Sequence, residues 1–346
     1  LGCALMVGGS FRPYLKLVRK LRPALTKLVG EADASTLLSN LSDESELMAS
    51  MGPVVGVSKV ARGEMTRQEY LGLYGHRGPH EMELAAPRPS EDPGWLDRLL
   101  EEYERTPVDV DGLMANRRAE FEEAWRRFEE GQPRKARSMR PRLEQVPAAA
   151  RLRESFRSEM VRAYGVVRAW VVRAGELTGL GDDVFFLTHD ELFDLLAGGE
   201  APCEQIAARK ATYDRQRALP QPPSIIRGRF DPYQWAADPE RRNDIYDAHA
   251  PLPLSTSPTL TGYAGAAGRV EGRVRRLDHF EEGDQLQKGE VLVTAMTNVG
   301  WTPIFPRAAA VVTDVGAPLS HAAIVARELG IPAVVGCIDA TTRLRT

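Results

Sequence analysis

His321 is the side chain in this sequence whose position best suits chemistry. It lies in the run Thr313-Asp314-Val315-Gly316-Ala317-Pro318-Leu319-Ser320-His321-Ala322-Ala323-Ile324-Val325-Ala326-Arg327-Glu328-Leu329-Gly330. The apolar stretch Ala308 to Val312 ahead of it predicts a buried strand. Gly316 and Pro318 predict a turn. Ser320 is a good N-cap, and Ala322, Val325 and Leu329 make an apolar stripe over a helix from His321 to Leu329. Gly330 and then Pro332 stop that helix. The predicted unit is strand, tight turn, helix, with His321 in the first turn.

The first turn of a helix has unpaired N–H groups and the positive end of the dipole, so it favours anions. An imidazole there is badly placed to be a cation and well placed to carry a phosphoryl group. Phosphohistidine is a covalent intermediate of nucleophilic catalysis. Ser320, Arg327, Gly316 and Thr313 are the candidate phosphoryl-binding or supporting residues. Arg327 would help neutralise the charge, and Ser320 offers a hydroxyl beside the ring. The plainer reading of the spacing is a polar residue near a helix cap with no chemistry.

From Val311 to Gly336 the chain resembles the mobile phosphohistidine domain of PEP-utilising enzymes. That group includes phosphoenolpyruvate synthase, pyruvate phosphate dikinase and rifampin phosphotransferase. Gly316, Ser320, His321, Ala322, Ala323, Ala326, Arg327, Glu328, Gly330, Ile331, Pro332 and Gly336 match its pattern. Ala317 stands where the second glycine is usual, which bears on turn geometry. Leu319 stands where the synthase and the dikinase have Thr, which removes a hydroxyl near the phosphate. Rifampin phosphotransferase-like members also lack that Thr.

A second stretch dense in titratable groups is Tyr74-Gly75-His76-Arg77-Gly78-Pro79-His80-Glu81-Met82-Glu83-Leu84. Loops of this kind carry function more often than cores do. His76 and His80 have helical ligand spacing, but Gly78 and Pro79 work against a helix there, and no metal is assigned. The stretch resembles a segment of the acceptor-substrate domain of rifampin phosphotransferase and related synthase-like proteins. Tyr74, Gly75, Arg77, Glu81, Glu83, Leu84, Pro87 and Arg88 match, whereas Pro89 replaces the usual Trp and His80 the usual Gly. The resemblance implies an acceptor site at Arg77, Glu81, His76 and Arg88. Arg77 would bind the phosphoryl group in transit, and Glu81 would be a base or would orient the acceptor. A buried Arg–Glu pair that merely fixes the loop is the equal alternative.

The elements that must position these residues form two patterns. Residues 1–218 read as mostly helical. Short helical pieces interrupted by Pro13 and Pro23 are expected up to about residue 52, with Leu15, Val18, Leu21 and Leu25 on one face. Capping boxes are expected at Thr66/Glu69 and Thr188/Glu191. Longer helices are expected from Val110 to Glu130, with Leu113, Phe121, Ala124, Trp125 and Phe128 inward, and from Ala148 to Leu177. A basic loop is expected from Gln132 to Pro141. Arg151, Glu154, Arg157, Glu159 and Arg162 read as ion pairs along a helix face. Periodicity is lost in the Pro-rich span 219–261, which reads as a linker. From 262 the pattern turns to strands, including Gly268 to Leu277, Glu290 to Ala295 and Ala333 to Val335. The fold class is multidomain α plus α/β, a mostly helical region followed by a strand-rich one that, by the resemblance, is a swivelling β/β/α phosphohistidine domain over 262–346. Family members continue beyond the point reached at Thr346, so that domain reads as clipped, with an open sheet edge.

At 346 residues the chain can hold more than one core. A net charge of −3 without a basic block does not imply nucleic acid. Cys3, Cys203 and Cys337 are odd in number and far apart, which fits a reducing, cytoplasmic setting. No apolar run has transmembrane length. The chain opens on Leu1 rather than Met, so an upstream reading frame is expected. The resemblance implies a relay in which ATP and Mg2+ on an ATP-grasp domain, supplied in cis or in trans, phosphorylate His321. The phosphoryl group would then pass to a small-molecule acceptor hydroxyl at the helical domain. The ATP-grasp and P-loop patterns themselves are not legible in this stretch. The competing classes are a non-catalytic phosphohistidine carrier or docking subunit of a split synthase-like complex, and a binder of a hydrophobic ligand.

Overall fold

The computed structural model describes residues 2–38, 52–105, 107, 109–250, 257–318 and 320–345, with the side chains of 2–12, 110, 113 and 114 outside the description. Two positions used in the sequence reading, the Leu113 side chain and Leu319, therefore lie outside it.

The first part of the chain is helical. Its elements are α1 (Gly2–Leu37), α2 (Gly52–Ala61), α3 (Arg67–Tyr74), α4 (Trp95–Arg105), α5 (Val110–Gly131), α6 (Pro133–Leu143), α7 (Gln145–Thr178), α8 (His189–Leu196) and α9 (Cys203–Arg217). The expectation of short pieces broken at Pro13 and Pro23 is corrected: both prolines stand inside α1, and the non-helical residue is Gly30, with φ of 85°. Packing overrides local propensity here. Tyr14, Val18, Leu21 and Leu25 recur on one face and are buried against Ala124, Phe128, Met139 and Val146, whereas Leu15, expected on that face, is exposed. Each such side chain taken from water stabilises by roughly 1.5–3 kcal/mol, comparable to the cost of a proline in a helix.

The basic loop expected at 132–141 is also corrected, since α6 covers it. Pro133 sits in the first turn, where its missing N–H costs nothing, and Ala136, Met139 and Leu143 point into the core. Both expected capping boxes are present, at Thr66/Glu69 and Thr188/Glu191.

The span 219–261 holds short elements: β1 (Ile225–Arg227), α10 (Pro232–Ala237) and β2 (Ile245–Asp247), with β1 and β2 paired in parallel. Beyond it comes a five-stranded mixed sheet of β3 (Tyr263–Ala266), β4 (Val274–Arg276), β5 (Val291–Thr294), β6 (Ala310–Thr313) and β7 (Ala333–Val335). The order is β3-β7-β6-β5-β4, parallel except for β3. Helix α11 (His321–Leu329) follows β6 and packs on β3, β7 and β6, while α12 (Ala340–Arg343) lies against β5 and β6. The strand–turn–helix unit is found where the sequence puts it.

The sheet and the helical layer share one apolar core. Val54 and Val55 of α2 belong to the same buried cluster as Leu277, Phe305, Val311 and Val325, with Phe121 of α5 packed against it. Polar contacts reinforce the junction. Asn298 donates to the Pro79 carbonyl at 3.0 Å, and Arg307 pairs with Glu102 of α4. Gly300 faces Pro79 so closely that any Cβ there would collide with the proline ring.

Candidate active site

The turn before α11 is built by close approach. A Cβ on Gly316 would come 2.9 Å from the Val335 Cβ and 3.1 Å from the Ser320 Oγ, so the position has no room for a side chain. Thr313, fully buried, donates its hydroxyl to the Val315 carbonyl at 2.9 Å. Its role is to brace the turn. Ser320 has the extended backbone of an N-cap, but its side chain makes no cap bond. Its Oγ is buried and unpartnered beside His321, an arrangement that leaves a hydroxyl free for a phosphoryl oxygen.

Arg327 does not do what its type and spacing suggested. Its guanidinium is buried and donates to the Gly265 carbonyl at 2.9 and 3.1 Å and to the Pro318 carbonyl at 2.6 Å. It ties α11 to β3 and to the turn rather than offering a free cation to His321.

The His321 ring lies between two hydroxyls. Thr297 Oγ1 is 3.1 Å from Nδ1 and Thr302 Oγ1 is 3.2 Å from Nε2, and the Phe305 ring meets it edge-on. Burial pushes the imidazole down to about 3, helped by the positive charges of Arg157, Arg77 and Arg153. The ring is thus neutral at physiological pH and has a lone pair available as a nucleophile.

The cations near it come from the helical region. Arg77 Nε bonds Glu81 at 2.9 Å, Arg157 bonds the other Glu81 oxygen at 2.6 Å, and Arg153 bonds Glu154 at 2.6 Å. Arg77 also reaches Glu154 at 3.6 Å, so it bridges the two carboxylates. Three arginines against two carboxylates leave the cluster with a surplus positive charge. Tyr14 of α1 supports it from behind, its ring 4.9 Å from the Arg153 guanidinium carbon.

Of the four expected acceptor residues, Arg77 and Glu81 lie in this cluster. His76 turns to Ser158, with Nε2 2.6 Å from its Oγ, and burial with Arg162 and Arg77 nearby lowers its pKa to about 4. Arg88 is buried and donates to the His80 carbonyl at 3.2 Å, which makes it a brace for the loop. His80 lies against Phe280 of the sheet-bearing part. Among the described residues no His, Cys, Asp and Glu side chains group to hold a metal ion.

Arg153, Arg157, Thr297 and Thr302 were not singled out as site residues from sequence. Glu154 and Arg157 read as pairs along a helix face; instead Arg157 pairs across the fold with Glu81, and Glu154 pairs with its neighbour Arg153 and across the fold with Arg77. The available signal was Arg153 and Arg157 at i, i+4 beside an acidic residue on a helix that is otherwise apolar at those positions.

A cleft of about 360 Å3 opens beside the ring, lined by Tyr70, Arg77, Trp95, Leu99, Phe280 and Thr302 among others. Its lining mixes these apolar side chains with the charged Arg98, Glu101, Glu102, Arg105, Glu281 and Asp284, and Thr302 in it is the residue hydrogen-bonded to His321.

This arrangement matches known proteins. Residues 286–346, which hold β5, β6, β7 and α11 with His321, match the family model "PEP-utilising enzyme, mobile domain". The chain is 32% identical over 319 residues to a rifampicin phosphotransferase of Streptomyces sviceus, covering 84% of this chain and 34% of that protein. It is 29% identical over 299 residues to the prodigiosin synthesizing transferase PigC of Serratia marcescens, covering 79% and 30%. An uncharacterized protein of Mycobacterium tuberculosis is 35% identical over 283 residues, covering 78% and 28%. The chain thus spans about a third of the length of these curated relatives.

Proposed function

We propose that this chain is the acceptor-and-carrier part of an ATP-dependent phosphotransferase, in which His321 carries the phosphoryl group and delivers it to a hydroxyl bound in the cleft. One observation supports this above the others. A buried, neutral imidazole lies in the field of an arginine cluster supplied by another part of the chain, and its hydrogen-bond partner Thr302 and the cluster's Arg77 both line one cleft. In the transfer step the N–P bond at His321 breaks and an O–P bond to the acceptor forms, the hydroxyl proton passing to an oxygen of the transferred phosphate. Arg77, Arg153 and Arg157 meet the charge that builds on the moving group, and the Ser320 hydroxyl is free to bond it. Both oxygens of Glu81 are held by guanidinium groups, which suits orientation of Arg77 better than base catalysis.

Two of the relatives are named for rifampicin and for prodigiosin, and Tyr70, Trp95 and Phe280 in the cleft suit an acceptor with apolar surface. The donor is ATP with Mg2+ on an ATP-grasp domain in cis or in trans, giving AMP, phosphate and the phosphorylated product. Residues 1–218 then form the acceptor domain, 219–261 the connection, and 262–346 the phosphohistidine domain, which swings between donor and acceptor in a cytoplasmic setting.

The test is to incubate the protein containing this chain with ATP, Mg2+ and its ATP-grasp domain, and to look for acid-labile, alkali-stable phosphate on the His321 peptide. His321→Ala should abolish label and transfer with the fold intact. Transfer retained by that variant overturns the proposal, and label without transfer to any acceptor points to a carrier.

A further inference from the structure

The two hydroxyls on the His321 ring cannot play the same part. Thr297 and Thr302 are buried, and the ring is the only side-chain partner of each hydroxyl among the described residues. A neutral imidazole has one N–H and one lone pair. One hydroxyl must therefore accept from the ring and the other donate to it. The cleft distinguishes them: Thr302 lines it together with Arg77, and Thr297 is not in its wall. The Nε2 edge, bonded by Thr302, is the edge turned to the acceptor side.

We propose that Thr297 is a positioning residue that accepts the Nδ1 proton and so sets the tautomer, while Thr302 holds the place of the phosphoryl group at Nε2. This rests on the reading of His321 as the phosphoryl carrier and adds the division of labour around its ring. During loading, the Nε2 lone pair forms the N–P bond as the donor's bond to phosphorus breaks and its leaving group departs with that electron pair. Nδ1 keeps its proton, donated to Thr297, throughout, so the phosphorylated ring takes on a formal positive charge that the anionic phosphoryl group at Nε2 offsets and the Thr297 hydroxyl shares. Thr302, displaced from Nε2, can then donate to a phosphoryl oxygen. During delivery the N–P electron pair returns to Nε2, and the same tautomer is restored without a proton moving on the ring.

The experiment uses the full chain with 15N-labelled histidine and long-range 1H–15N correlation of the imidazole, assigned by its loss in His321→Asn. Wild type is expected to carry its proton on Nδ1. Thr297→Val, nearly isosteric, should weaken that preference by roughly five- to tenfold, the equivalent of one lost hydrogen bond. Thr297→Ser should restore it, and Thr302→Val should leave it on Nδ1. Amide correlation spectra of the variants that overlay on wild type establish that the fold is kept. Phosphoramidate, a small phosphoryl donor that releases ammonia, should label wild type on Nε2. A wild-type ring protonated on Nε2, or a Thr297→Val ring unchanged from wild type, overturns the proposal while phosphate on His321 would still uphold the carrier reading. The reverse result, the expected tautomers with no label from phosphoramidate or from ATP and Mg2+ with the ATP-grasp domain present, overturns the carrier reading and leaves the tautomer assignment standing.

Discussion

Two groups of arginine in this molecule look alike in sequence and differ in use. Arg327 stands six residues after His321, on the same helix, and its charge is consumed by the Gly265 and Pro318 carbonyls. Arg77, Arg153 and Arg157 lie 164 or more positions earlier in the chain, yet theirs are the cations that bear on the His321 ring. Proximity along a helix decided nothing. The Arg327 side chain runs back to the turn before its own helix, but the Pro318 and Gly265 carbonyls hold its guanidinium there, and the cations that bear on the ring arrive from a facing layer. A phosphohistidine domain whose charge neutralisation is supplied by the acceptor domain would stabilise the moving group only when docked, which is where transfer should occur.

The comparison can be broken or sharpened in order of effect. Arg77 bridges Glu81 and Glu154 in a buried setting, with side chains 8% and 3% exposed for the Arg77–Glu81 pair. Arg77→Ala should destabilise the chain by about 2–3 kcal/mol, since it takes one partner from each of two buried carboxylates and leaves Glu81 to Arg157 and Glu154 to Arg153. Arg77→Lys should recover much of the stability, measured by denaturant midpoint, but little of the transfer rate, because a point charge cannot bridge both carboxylates. Equal recovery of both would make the cluster a structural brace alone.

Arg327→Ala should destabilise by about 2–3 kcal/mol through two carbonyls left without a donor, while phosphate on His321 per folded molecule stays near wild type. A folded variant that takes no label would return Arg327 to the chemistry.

The depressed pKa of His321 gives a signed prediction. The folded ring stays neutral down to about pH 3, whereas an unfolded imidazole protonates below its ordinary value near 6.5. The unfolded state therefore binds more protons in that window, and stability falls as pH drops through it. His321→Asn should reduce the acid loss between pH 7 and pH 5 by on the order of 1–2 kcal/mol, as read from denaturation at the two pH values. An identical loss in wild type and variant would mean that the ring is solvated rather than buried.

The smallest effect is expected at Gly300, where a methyl group would collide with Pro79. Gly300→Ala should cost about 1–2 kcal/mol at the junction and slow transfer, leaving label on His321 unaffected, since no charged group is touched. Unchanged transfer would show that this contact does not set the docked geometry.

The sequence by itself determined the unit around His321. A five-residue apolar run, a Gly–Pro turn and a capped helix are local features, each governed by neighbours within a few positions, and the helix bounds His321–Leu329 were legible to the residue. The capping boxes and the inward face of α5 at Phe121, Ala124, Trp125 and Phe128 were legible for the same reason, whereas α7 buries Arg153, Glu154 and Arg168 and leaves Val167 and Trp170 exposed. Only the tertiary structure decided the course of α1 through its two prolines, where burial of Tyr14, Val18, Leu21 and Leu25 outweighs a local breaking signal. It alone made a helix of residues 133–143, which charge and proline disguised. It also decided what surrounds the ring: Thr297 and Thr302 from one turn, Arg77 from a loop, Arg153 and Arg157 from α7. Those partners meet through long-range packing, and a contact between residues over a hundred positions apart leaves no periodicity in either segment from which it could be read.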